Sequence, residues 1–135
     1  MAIQLSVAVR NARLDQIEAT IGTGAIIRIR TGAQPADCAT ADSGTILSAM
    51  TLPSDWMAAA SSGAKAITGT WQDAAADAAG TAAHFRVYDS GGTVCGLQGT
   101  VTGTGGGGDM ELDNAVLAVG QQVTVTSFTL TDGNA

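Results

Sequence analysis

Residues 103–130, GTGGGGDMELDNAVLAVGQQVTVTSFTL, decide the fold class. A glycine run opens the stretch. An acidic, alternating segment follows, with Asp109, Glu111 and Asp113 in every second position. A turn at Gly120 and Gln121 then leads into the longest alternating run of the chain, residues 123–130. Apolar and polar residues that alternate with period two belong to half-buried strands, and glycine clusters mark the turns between them. The pattern predicts a β-sheet framework and displays no reactive cluster.

The same grammar extends toward the N-terminus. Residues 84–88 alternate Phe85 and Val87 with His84, Arg86 and Tyr88, and 89–92, Asp-Ser-Gly-Gly, is a strong turn signal. A partner strand over 93–102 completes a hairpin. Further strands are predicted at 25–30, 45–52 and 64–72, with one or two short ones over 110–119. In the first of these, Ile27 and Ile29 face one side, Arg28 and Arg30 the other. In the third, Ile67, Gly69 and Trp71 share a face. Residues 31–44, rich in Gly, Ala and Asp and holding Pro35, read as a long loop. Residues 73–83 read as a loop despite their alanines, because Gly80 and Thr81 break any helix. Trp56 and Met57 lie in a non-strand segment, where the tryptophan is expected as a plug over the core edge.

Only one helix is predicted, over about residues 6–21. Ser6 is its N-cap, Val7, Leu14, Ile17 and Ile21 form its apolar stripe, and Gly22 ends it. The expectation is a single domain spanning 1–135. It is mainly β, an antiparallel β-sandwich or jelly-roll-like unit of seven to eight strands with one N-terminal amphipathic helix.

Composition narrows the function classes. Charged residues make up 13% of the chain against a usual quarter. Aromatics are 4%, so the core must rest on aliphatic side chains and a few large ones. Such a chain presents a largely neutral surface suited to packing against neighbours. The net charge of −6 and the scattered basic residues argue against nucleic-acid binding and against an anionic membrane surface. No apolar run approaches the ~20 residues of a membrane span. The N-terminus has no charged region before its apolar stretch and no small-residue cleavage site, which predicts synthesis in a cytoplasm. Cys38 and Cys95 are expected as free thiols, although a meeting in space stays open.

The chemical motifs fail on their context. Residues 103–108 formally satisfy GxGxxG, but no helix or βαβ unit follows and no Lys-Ser/Thr completes a P-loop. Read as a calcium loop from Asp109, the sixth and twelfth positions are Asn114 and Gly120, where an EF-hand needs glycine and glutamate. A non-EF cation site on the carboxylate row Asp109, Glu111, Asp113 stays open beside a solvated strand face. His84, the sole histidine, is expected on the outer face of its strand as a surface residue. No nucleophile elbow or paired-acid motif appears, so neither an enzyme nor a cofactor is expected.

Residues 1–18, the IRIRTGAQPADC segment at 27–38, ADAAGTAAHFRVYDSGG at 76–92 and the close over 105–135 occur in a familiar order. Together they resemble small virion structural proteins of tailed bacteriophages and prophages. The resemblance implies a component of the phage particle, without enzyme activity or cofactor, made in the host bacterial cytoplasm and located in the virion. Its partners would be other virion proteins, a major capsid protein or tail proteins, and further copies of itself. A capsid decoration (cement) protein is the favoured form, a tail or fibre component the alternative. From another class, a carbohydrate-binding adhesin would use Trp56, Trp71 or Tyr88 to stack sugars. Residues expected at a partner surface are Val7, Leu14 and Ile21 on the helix, Arg28 and Arg30 on the first strand, and Trp56 with Met57.

Overall fold

The computed structural model describes residues 3–133. The chain is mainly β, with one N-terminal helix and ten strands among the described residues. Helix α1 spans Val7–Ile21. The strands are β1 Ile26–Arg30, β2 Ile46–Thr51, β3 Ala64–Ala66, β4 Gln72–Asp73, β5 Gly80–Thr81, β6 His84–Tyr88, β7 Cys95–Gly103, β8 Met110–Leu112, β9 Val116–Leu117 and β10 Val123–Thr131. Among the described residues no helix is long and apolar enough to cross a membrane.

The main sheet runs β2-β1-β6-β7-β8-β10-β3, with β4 also on β10, and a separate ladder joins β5 to β9. All pairings are antiparallel except β7 with β8. The expected hairpin is β6–β7, in which Phe85 faces Gly99 and Val87 faces Leu97. The strand expected over 64–72 exists in two pieces on one edge of β10. Ala66 pairs with Thr129 and Gln72 with Thr124, so the register slips by one residue between them. Gly69, at φ +68°, sits in the interruption. Short strands of this kind bring the count to ten rather than seven or eight.

The sheet does not lie flat. Neighbouring strands are ~4.8 Å apart, so three steps from β6 to β10 would separate them by about 14 Å in a plane. Yet the rings of Phe85 and Phe128 meet edge to face at 5.4 Å. The two edges also touch: Ser48 Oγ on β2 donates to Asp73 Oδ2 on β4 at 2.7 Å, and Asp77 N donates to Leu47 O at 2.8 Å. The sheet therefore wraps around one sandwich-like core. In that core Trp56, Trp71, Phe128 and Phe85 form a continuous chain of ring contacts. Trp56 is fully buried, with Nε1 donating to Gly22 O at 3.1 Å. It is a central core residue rather than a plug at the edge, and it fixes the end of α1 to the sheet.

Helix α1 has the predicted caps: Ser6 Oγ accepts from Val9 N, and Gly22, at φ +91°, donates to Glu18 O. Its apolar stripe, however, buries only Leu14. Polar side chains dock it instead. Asn11 Oδ1 accepts from Gly63 N, Asp15 Oδ1 from Ala60 N, and Glu18 Oε1 from Met57 N, each at 2.9 Å. Lys65, 2% exposed on β3, reaches Asp15 at 2.8 Å, Glu18 at 3.0 Å and Ala58 O at 2.9 Å. Burial works against the Lys65 charge, but the hydrogen bonds to Asp15 and Glu18 outweigh it and hold the ammonium above the ordinary lysine value.

Removing one member of such a cluster leaves its partners without compensation. Lys65→Ala is expected to lower stability by about 2–3 kcal/mol. The figure sits below the ~3–5 kcal/mol of fully buried pairs because Asp15 is half exposed. The urea midpoint at constant m-value checks it.

Candidate functional site

The face of β6 that alternation assigned to solvent is covered. All five residues of β6 are buried. Phe85 and Val87 point into the core, whereas His84, Arg86 and Tyr88 lie beneath the segment 31–45. His84 is therefore a buried residue and not a surface one. The Gly32 carbonyl lies 2.9 Å from Nδ1, and since a carbonyl can only accept, Nδ1 carries the proton. Its other ring nitrogen has no hydrogen-bond partner among the described residues.

Asp42 holds the covering segment down. Its Oδ1 accepts from Arg86 at 2.7 Å and from the Tyr88 hydroxyl at 2.6 Å, while Oδ2 accepts from Arg30 at 2.9 Å. Arg86, 2% exposed, is satisfied around its whole fork: Nη2 donates to Asp37 O and Thr40 O, and Nε to Gln98 Oε1. Asp37 in turn caps its own turn by accepting from Thr40 N at 2.8 Å. Partial burial pushes the Asp42 carboxyl up, yet Tyr88, Arg86 and Arg30 together hold it below the usual carboxylate value. Burial also pushes the Tyr88 phenol up. Arg28 stacks on the Tyr88 ring at 4.6 Å and donates to Gly92 O, which ties the β6–β7 turn to β1.

Beside this cluster a cavity of about 200 Å³ opens between the loop and the hairpin, lined by Cys38, Thr40, Asp42, Tyr88, Thr93 and Cys95. Its two sulfurs are in contact, Sγ to Sγ 2.8 Å.

The carboxylate row on the stretch after the glycine run does not converge on a common point. Asp109 Oδ2 accepts from Thr100 N and Oγ1, both at 2.9 Å. Glu111 Oε2 accepts from Gly105 N at 3.0 Å and Gly107 N at 3.1 Å. Asp113 Oδ1 accepts from Asn114 N and Thr124 N. Each acid closes a different loop. The glycine loop presents backbone N–H groups to an anion, and that anion is the protein's own Glu111. Among the described residues no group of three or more His, Cys, Asp or Glu side chains is placed to hold a metal ion.

The expected partner-surface residues separate into two sets. Val7 is exposed, and Ile21 and Arg28 are partly covered. Ile21 packs over Gly96, where even a Cβ would meet its side chain at 2.5 Å. Leu14, Arg30, Trp56 and Met57 are buried within the chain itself and cannot meet a partner. The exposed large apolar residues are Ile3, Val7, Val9, Val94, Val116 and Val119. Sequence reading selected only Val7 of these, because alternation does not tell which strand face the fold will cover. Trp71 and Tyr88 are buried as well, as is every aromatic ring of the chain, so none is available to stack a sugar.

Comparison with family models, curated proteins and solved structures gives no match.

The Asp42 clamp has a calculable acid response. Its folded-state pKa lies below the 3.8 of a free carboxyl. Its contribution is therefore complete above that value and is lost as pH falls through the folded pKa. Asp42→Asn is expected to cost about 1–2 kcal/mol at pH 7, discounted because Asp42 is 37% exposed. It is also expected to flatten the fall in stability below pH 4. Denaturant midpoints of both proteins across pH 3–7 check both effects.

Proposed function

We propose that the chain is a structural component of a tailed-phage particle, a capsid decoration protein that bridges neighbouring shell subunits. The sequence resemblance supports the particle. The observation that carries the bridging role is the placement of exposed apolar side chains at opposite ends of the fold.

β10 is nine residues long, and at ~3.3 Å per residue it spans roughly 27 Å. Its end lies beside the start of α1, because Arg10 donates to Asp132 O at 3.0 Å. Ile3 (84% exposed), Val7 and Val9 belong to this end. Val94 lies at the same end of the sheet but by the far end of α1, where Ile21 packs over Gly96: β7 pairs parallel to β8, which is antiparallel to β10, so β7 begins where β10 ends. The start of β10 lies beside the β9 turn, where Ala76 N donates to Gln121 O and Gly120 N to Ala76 O. Val116 (64% exposed) and Val119 (70% exposed) stand there.

Exposed apolar groups mark contact surfaces. Two different patches at opposite ends suit head-to-tail contacts that link one neighbour to the next. Each covered valine contributes about 1–2 kcal/mol before ordering costs. One end therefore binds weakly, and firm attachment comes from engaging both ends on a repeating lattice. An interior in which most acids and arginines are committed to internal contacts fits a chain that acts by shape and repetition.

Purified protein is expected to bind expanded phage shells in a fixed ratio to the shell subunit and to leave tails bare. Val116→Asp combined with Val119→Asp should weaken shell binding by at least about tenfold, equivalent to ~1.4 kcal/mol, with the thermal midpoint unchanged. Labelling confined to tails in imaged virions would replace the decoration role with a tail role, and absence from virions would overturn the reading.

A further inference from the structure

We propose that Cys38 and Cys95 are an oxidisable pair, which a small-molecule disulfide converts to an intrachain disulfide that locks segment 31–45 over β6. The inference rests on the geometry of the two thiols and stands or falls independently of the particle assignment.

The sulfurs come from distant parts of the chain, 57 positions apart, and meet at 2.8 Å. A disulfide bond is ~2.05 Å long, so closure needs a movement of under an ångström. Other contacts make this encounter, not the sulfurs themselves. Asp42 anchors the loop to Arg30, Arg86 and Tyr88, the Asp37–Thr40 turn fixes the backbone around Cys38, and Gln98 Nε2 donates to Pro35 O at 2.8 Å. Cys95 opens β7 opposite Tyr88 in the ladder. The reduced fold therefore already holds the thiols in the arrangement that the bond requires. Loss of chain freedom, the main obstacle to closing so long a loop, has been met by folding.

Access is also provided. Both cysteines are only partly buried, and both line the 200 Å³ cavity that opens between Thr40, Asp42 and Thr93. An oxidant can reach a sulfur there without the core opening. Burial, and then the neighbouring Cys38 thiol, push Cys95 up to about 12, so it keeps its proton at neutral pH.

The chemistry balances with a disulfide of the glutathione type as oxidant. The Cys38 thiolate attacks one sulfur of the oxidant, forms a mixed disulfide and releases one glutathione thiolate, which takes up the proton that Cys38 gave up. Cys95 then loses its proton and attacks Cys38 Sγ. This expels the second glutathione as a thiolate, which takes up that proton. Two protein thiols are oxidised and one glutathione disulfide is reduced to two thiols. The new bond ties the loop after β1 to the first residue of β7 across the buried Arg86. It would persist in an oxidising environment and reopen in a reducing one.

The full chain, purified reduced, is incubated with glutathione disulfide and analysed by intact mass, by alkylation of remaining thiols and by non-reducing electrophoresis. The expected product is a monomer lighter by two hydrogen atoms, with both cysteines closed to alkylation. Its thermal midpoint should rise by about 10 °C, because a loop of this length strongly restricts the unfolded chain. Dithiothreitol should return the midpoint to its starting value. Cys38→Ser and Cys95→Ser, which keep the volume of the site, should match the reduced protein before oxidation and show no rise after it. Thiols that both remain open to alkylation, a persistent glutathione adduct on the unaltered chain, or a disulfide-linked dimer would overturn the proposal. A rise of equal size in either serine variant would also overturn it.

Discussion

Asp42 stands between two arginines that the fold has taken out of water, and the outer face of the β1–β6–β7 ladder stays closed through that contact. The covering segment has no regular strand or helix and lacks a backbone ladder of its own. Its attachment is instead a set of charge-assisted hydrogen bonds, in which the Arg86 fork meets one carboxylate, one side-chain amide and two loop carbonyls. Taking Arg86 and Arg30 from water is costly unless their donors are filled. Segment 31–45 supplies the acceptors, and the sheet supplies the donors that keep the segment in place. Neither half is stable in this form without the other. That mutual requirement buries β6 on both faces and makes it the centre of the molecule.

The same logic recurs wherever the chain lacks regular structure. Asp15 and Glu18 accept backbone N–H groups from the excursion between β2 and β3. Asp89 accepts from Thr93 and Val94 at the hairpin tip, Glu111 from the glycine loop, and Asp113 from the start of β10. A carboxylate has two oxygens and room for several donors, so one side chain can replace part of a missing ladder. The net charge of −6 is thus distributed largely as internal fastening. This explains how a chain with few charges and many small residues still holds long loops in defined positions. It also concentrates the remaining opportunity for contact in a few exposed valines, away from the polar clusters.

The aromatic residues follow a matching economy of placement. With few large side chains available, the fold collects Trp56, Trp71, Phe128 and Phe85 into one connected group where the wrapped sheet meets itself. Alanine and glycine elsewhere allow close approach, as at Gly96 under Ile21 and Gly99 against the Phe85 ring. A side chain at either position would force the helix or the core ring aside.

The sequence by itself determined the fold class, the helix with both of its caps, the β6–β7 hairpin and the long final strand. These follow from period-two alternation, from Ser6 and Gly22, and from the Asp-Ser-Gly-Gly turn, all of which act over a few neighbouring residues. Local pattern also divided β6 correctly into two faces. Only the tertiary structure decided that the polar face would be covered, that His84, Arg30 and Trp56 would be interior, and that Cys38 would meet Cys95. It alone also gave each acid of the 109–113 row a different partner. Those outcomes depend on groups that lie far apart in the chain, brought together by the wrapping of the sheet and the return of a loop across it. A contact of that range leaves no periodic mark on either segment, because each residue's local surroundings are the same whether or not the distant partner arrives.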